Sequence, residues 1–216
     1  MMENAVEVQN LSFSYSDGST VLTDVCFSVA SGEVFVITGM SGRGKTTLCH
    51  ILCGIIPHAI KGSISGRVSV MGLEPSSAGL PKTAMQAGMV FQDADSQIIC
   101  TTVEDELAFG LENLCFPPEE IRARVDDLIV EFGFEGMSGT NPANLSGGQK
   151  KLLTIASVLA PRPPVLILDE PMSGLDDEGR ALVRHTIEDQ RRQGRAVIII
   201  EHDLEHVEFA DRWMEL

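Results

Sequence analysis

Glycines, hydroxyls and a lysine crowd together at Gly39-Met40-Ser41-Gly42-Arg43-Gly44-Lys45-Thr46, which fits the spacing G-x-x-x-x-G-K-[ST]. Gly39, Gly42 and Gly44 let the backbone turn its N–H groups inward around Ser41 as an anion nest. The run that follows (Thr47, Leu48, Ile51, Leu52) reads as a helix, and its N-terminus adds the positive end of a dipole. Lys45 then reaches the outer phosphates of a nucleotide, the Thr46 hydroxyl is a ligand for Mg2+, and Thr47 extends the phosphate-binding turn. A glycine-rich turn that happens to carry a lysine is the plainer alternative. A strand directly before the loop and a helix directly after it weigh against that alternative.

A hydrolytic partner for such a loop is present at Val165-Leu166-Ile167-Leu168-Asp169-Glu170. The apolar residues place Asp169 at the end of a buried strand, where it can hold the water shell of a metal, and Glu170 one residue further can polarise an attacking water. Leu145-Ser146-Gly147-Gly148-Gln149 is another anion cradle, a Ser hydroxyl and glycine N–H groups opening a helix expected from Gln149 to about Ala160. One ATP needs one phosphate loop, so a second cradle on the same chain suggests service to another subunit's nucleotide. A simple Ser-Gly-Gly helix cap is the alternative.

The elements that must position these groups alternate along the chain. VFVIT (34–38), VLIL (165–168) and AVIII (196–200) are apolar and rich in β-branched residues, as strands of a parallel sheet covered on both faces are. VEVQNLSFSY and VLTDVCFSV alternate around Ser16-Asp17-Gly18-Ser19, a hairpin signal, with more antiparallel strand expected at Gly66–Met71. Ile121, Val125, Leu128, Ile129 and Phe132 recur at helical spacing after Pro117-Pro118, with Gly133 as a stop. The expected fold is α/β: a parallel core with an antiparallel β edge and a helical subdomain at about 95–160, within a single domain spanning 1–216.

Composition narrows the partners. The 216 residues carry a formal net charge of −15, which disfavours general nucleic-acid binding. No apolar run approaches the roughly 20 residues needed to span a bilayer, and no signal peptide is read at the N-terminus, so a cytoplasmic location is expected. Cys49 and Cys53 stand one helical turn apart, but no second pair completes a tetrahedral metal site, so buried thiols are expected.

These motifs in this order resemble the ATP-binding cassette (ABC) family over nearly the whole chain. The resemblance implies an ATPase with ATP and Mg2+ as ligands, working as a pair of cassettes. It implies that Tyr15 stacks on adenine, that Gln92 senses the metal and γ-phosphate, that Ser173-Gly174-Leu175-Asp176 crosses the pair's interface, and that His202 contacts the γ-phosphate. Catalytic roles then fall to Glu170, His202 and Gln92, and metal contacts to Thr46, Gln92 and Asp169. Ser146, Gly147, Gly148 and Gln149 face the partner's nucleotide. Val90 to Gln97 and Thr102 to Asn113 look like the ATPases of energy-coupling factor (ECF) importers for vitamins, cobalt or nickel. That implies integral membrane transporter subunits as partners, attachment at the inner membrane face, and a groove near Gln97 and Ala108–Asn113 that receives a coupling helix. A soluble cassette ATPase of DNA repair or translation is the runner-up.

Arg43, Leu152 and Met172 depart from the family pattern, where a small residue, an arginine and a threonine are usual. None of the three removes a group assigned to phosphate, metal or water. The chain also ends at Trp213-Met214-Glu215-Leu216, where importer ATPases usually continue, so it is read as one module of a fused protein, a trimmed chain or a short natural form.

Overall fold

Every residue of Val34–Thr38, Val165–Asp169 and Ala196–Ile200 is buried in the computed structural model, which describes residues 4–202 and 207–216. In chain order the strands are β1 Asn4–Tyr15, β2 Thr20–Ala30, β3 Val34–Thr38, β4 Gly62–Val70, β5 Ala87–Val90, β6 Val165–Asp169, β7 Ala196–Ile200 and β8 Arg212–Glu215. The helices are α1 Lys45–Leu52, α2 Ile55–His58, α3 Pro75–Ala78, α4 Leu80–Ala84, α5 Val103–Asn113, α6 Pro118–Glu131, α7 Gly147–Leu159 and α8 Asp177–Arg192.

The chain divides into two units, the first comprising Met1–Met89, Pro163–Glu170 and Ile187–Leu216. Its larger sheet has the order β5-β6-β7-β3-β8, with β3 parallel to β7 and β8, and β6 parallel to β7. The order places the C-terminal ends of β3, β6 and β7 side by side. That is where an open α/β sheet holds its ligands. A smaller antiparallel sheet, β2-β1-β4, forms the expected hairpin and adds a strand to it.

The strand expected at Gly66–Met71 begins earlier, at Gly62, and ends at Val70. The early half was hidden because Ser63 and Ser65 carry no apolar alternation. Gly66 is not the start but an irregularity inside the strand: its φ is 90°, and a Cβ there would lie 2.3 Å from the Asn10 carbonyl oxygen. The pairing register with β1 shifts at that point, between Gln9 and Ser12.

The second unit comprises Val90–Arg162 and Pro171–Thr186 and contains α5, α6 and α7. Thr102 caps α5, its hydroxyl accepting from the Asp105 amide at 3.1 Å. Arg124 on α6 lies over the Phe116 ring, pairs with Glu120 at 2.5 Å and donates to the Ala160 carbonyl at 2.7 Å. Those contacts fix α6 against the end of α7. Gly133, at φ 72°, follows α6 as expected.

Glu106 differs from its exposed neighbours Glu104 and Asp105 in the first turn of α5. It is buried, and its carboxylate accepts the amides of Ile99 and Cys100 at 3.0 and 2.8 Å.

Candidate functional site

In the first unit β3 runs straight into the glycine loop, and α1 follows at Lys45. Gly44, the residue before α1, has φ 92°, and a Cβ there would meet Val21 and Leu22 side-chain atoms at 2.7 and 2.8 Å. Only glycine fits this position, both for its backbone angle and for the lack of space. No side chain caps α1 and its first turn carries no acid, leaving its N-terminal amides to an incoming anion. Ser41 and Gly42 are exposed in the same loop, and Gly39 links it to β3.

Lys45 is buried, with Nζ donating to the Gly39 and Met40 carbonyls at 2.8 and 3.0 Å. The lysine is thus folded back over the loop whose charge it would supply. The Thr46 hydroxyl donates to Asp169 Oδ2 at 3.1 Å, bringing together hydroxyl and carboxylate oxygens from α1 and β6. Glu170, at φ 48°, lies in the left-handed region, sparsely used by such residues, and its amide donates to the Ile200 carbonyl at 3.0 Å. His202 Nε2 stands 3.2 Å from Glu170 Oε1. Thr46 with Asp169 and His202 with Glu170 thus form two polar pairs beside the ends of β6 and β7.

Tyr15 packs edge-on against Phe13 with ring centroids 4.9 Å apart, and its hydroxyl lies 2.8 Å from Thr47 Oγ1. The aromatic residue is thereby tied to the first turn of α1.

Below the loop, Cys49 and Cys53 are buried. Burial pushes the Cys49 thiol well above the ordinary range, with Cys53 and Asp169 adding to it, and burial pushes Cys53 up to about 12. Among the described residues no group of His, Cys, Asp and Glu forms a metal-holding cluster. The raised values favour the folded state below the ordinary thiol range, and that contribution is lost as pH rises above it. Alkylation followed by mass spectrometry will label exposed Cys26 and Cys115 in the native protein, and Cys49 and Cys53 only on unfolding.

In the second unit Ser146 caps α7 with a reciprocal pair of bonds. Its hydroxyl accepts the Gln149 amide at 3.2 Å, and the Ser146 amide donates to Gln149 Oε1 at 2.9 Å. α7 consequently starts at Gly147, two residues before the expected Gln149. The helix-cap alternative is thus present in the structure. It leaves the hydroxyl proton of Ser146 able to donate to an anion, so cap and cradle are compatible.

Ser146, Gly148, Gln149, Gly174 and Asp176 line one open cleft of about 780 Å3. Gly148 lies beside the 173–176 loop, where a Cβ would meet Leu175 at an ordinary contact distance of 3.5 Å. Asp176 Oδ1 accepts the Gly179 amide at 2.8 Å, fixing the entry to α8.

Gln92 belongs to this second unit, its side chain exposed and its carbonyl accepting from Lys151 Nζ at 2.9 Å. Of the departures, Arg43 is exposed, Leu152 lines the cleft and Met172 is buried. Lys151 and Glu106 escaped the sequence reading. The available signal was position: Lys151 shares the buried face of α7 with Ile155 and Leu159, and Glu106 that of α5 with Val103 and Leu107.

A glycine nest between a buried strand and a helix, backed by strand-end acids, defines a P-loop nucleotide-binding protein of the α/β class. The chain belongs to the ABC transporter family, whose pattern matches residues 22–173.

The energy-coupling factor transporter ATP-binding protein EcfA1 of Streptococcus thermophilus is 40% identical over 214 residues, covering 98% of this chain and 76% of that protein. A Methanosarcina mazei relative is 40% identical over 210 residues, but the chain spans only 36% of its length. Among solved structures, CbiO1 of Clostridium perfringens, described as part of the ABC transporter complex CbiONQ, superposes with a TM-score of 0.84. That match is 35% identical and covers 99% of this chain and 84% of the other. A dimeric ATP-binding cassette in a post-hydrolysis state with ADP and Pi matches with a TM-score of 0.82 at 25% identity, covering 98% of this chain and 94% of that one.

Proposed function

We propose that the chain is the ATP-binding and ATP-hydrolysing subunit of an ABC importer of the ECF type, powering uptake of a vitamin or transition-metal ion. The observation that carries this reading is the coexistence, on one chain, of a glycine loop holding Lys45 with the Thr46–Asp169 and Glu170–His202 pairs and of a separate cradle at Ser146 that shares a cleft with Asp176.

ATP binds with its phosphates in the Gly39–Thr46 nest and its adenine on Tyr15. Lys45 turns from the Gly39 and Met40 carbonyls to the outer phosphate oxygens. Thr46 and Asp169 already converge as hard oxygen donors and fit Mg2+, and the family resemblance gives Gln92 the role of sensing metal and γ-phosphate. The ion neutralises charge on the phosphates when bound. Glu170 holds the attacking water and accepts its proton, and His202, oriented by Glu170, contacts the γ-phosphate. Ser146, Gly147, Gly148 and Gln149 close on the nucleotide of a second cassette, so that each ATP lies between two chains.

Coupling to membrane subunits is assigned to the second unit. A cleft of about 450 Å3 has Ala108, Phe116, Ile121 and Val125 along its apolar surface and Glu112 and Asp126 among its acids. An apolar groove with an acidic rim suits a basic amphipathic coupling helix. Among the described residues no helix is long and apolar enough to cross a membrane. The subunit would attach at the inner face of the membrane through its partners.

Purification from detergent-solubilised membranes tests this reading. It predicts an integral membrane protein retained with the chain and released by Glu112→Lys with Asp126→Lys. Co-purification with nucleic acid instead would favour a soluble repair or translation ATPase and contradict the importer assignment.

A further inference from the structure

Lys151 is a buried cation that the mechanism above leaves unused, only 4% exposed and set among the apolar residues of α7. Burying a lysine head group is unfavourable unless its donors are met. Its Nζ donates to the carbonyl of Phe91 at 3.3 Å and to that of Gln92 at 2.9 Å. Gln97 Oε1 accepts the Phe91 amide at 2.9 Å, so side chains hold both backbone polar groups of Phe91.

The adjacent Lys150 pairs with Asp95 at 2.6 Å, but the Asp95 side chain is 70% exposed and such a pair contributes little. Within the loop, Ser96 Oγ donates to the Asp93 carbonyl at 2.8 Å and the Asp95 amide donates to Asp93 Oδ1 at 3.1 Å. The loop 91–97 is therefore internally braced and fastened to α7. The first turn of that helix is the Ser146 cradle.

We propose that Lys151 is a positioning residue. By holding the carbonyls of Phe91 and Gln92 it ties the backbone of Gln92 to the helix that caps the partner's nucleotide. This rests on the paired-cassette reading. A helix is stiff over the distance from Ser146 to Lys151, so a shift of the cradle when it meets a phosphate moves the Gln92 backbone with it. Lys151 thus links the site completed by a chain's cradle to the site served by the same chain's Gln92, and cooperativity in ATP depends on it. Lys150, held by an exposed pair, has no such role.

The experiment is a mutant cycle read by steady-state hydrolysis of Mg-ATP in the full chain, with melting midpoints recorded. Lys151→Gln, too short to hold both carbonyls, lowers kcat about 10- to 100-fold, the scale of losing an outer partner of a metal ligand. KM for ATP changes little and the Hill coefficient for ATP falls toward one. Lys151→Met, which keeps the stem and removes the donors, behaves alike and serves as the second variant. Lys151→Arg recovers most of kcat, and Lys150→Ala stays near the parent.

In a Gln92→Ala background, Lys151→Gln causes no further loss of kcat. A parental kcat in both Lys151→Gln and Lys151→Met, or an equal loss with and without Gln92, would overturn the proposal. A parent protein with no ATPase activity would instead remove the reading on which it rests.

Discussion

Replacing Glu170 by Gln will slow ATP turnover by about 10²–10⁴-fold, the usual worth of a positioned general base, while leaving ATP binding intact. This corresponds to about 3–5 kcal/mol of barrier. The exchange isolates chemistry from packing for a structural reason. Glu170 sits at φ 48° with its amide bonded to Ile200, and Gln keeps that backbone, the same length and a partner for His202. What it loses is the capacity to take a proton from water. Unchanged kcat in single-turnover hydrolysis would remove Glu170 from the role assigned to it.

Lys45→Ala will abolish measurable hydrolysis by a different route, weakening ATP binding itself. A hydrogen bond from a charged donor contributes about 1.5–3 kcal/mol, so affinity falls about 10- to 100-fold by calorimetric titration. The same change leaves the Gly39 and Met40 carbonyls without the bonds that Lys45 gives them, so the nucleotide-free protein also melts earlier. In a chain of net charge −15, the attraction that holds ATP must be local, and Lys45 is a cation within the phosphate loop itself. Undiminished affinity in Lys45→Ala would place the phosphates elsewhere.

Some of this molecule was legible because its physics is local. The buried strands β3, β6 and β7 announce themselves through unbroken apolar residues, and the loop before α1 through glycines that nothing else could replace. Other features were not, because they depend on partners far along the chain. Gly66 looked like the beginning of a strand, yet it sits mid-strand where β1 comes too close for a side chain. Glu106 resembled its exposed neighbours Glu104 and Asp105, and only the fold brings the Ile99 and Cys100 amides to it. Lys151 likewise gains its meaning from two carbonyls some sixty residues earlier in the chain. The Ser146 motif was legible as a helix opening, but its first turn begins two residues before the glutamine because the cap closes on Gln149.

The central claim is that each ATP is hydrolysed between the phosphate loop of one chain and the Ser146 cradle of another. Mixing two inactive variants tests it most directly. Lys45→Ala damages the loop. Gly148→Asp puts a carboxylate in the cradle, where a Cβ meets Leu175 only at ordinary contact distance, so the fold is spared. In mixed pairs, one of the composite sites combines an intact loop with an intact cradle. The account predicts that the mixture, assayed for phosphate release, regains hydrolysis that neither variant shows alone. A mixture as inactive as its components, with mixed pairs shown to form, would contradict it.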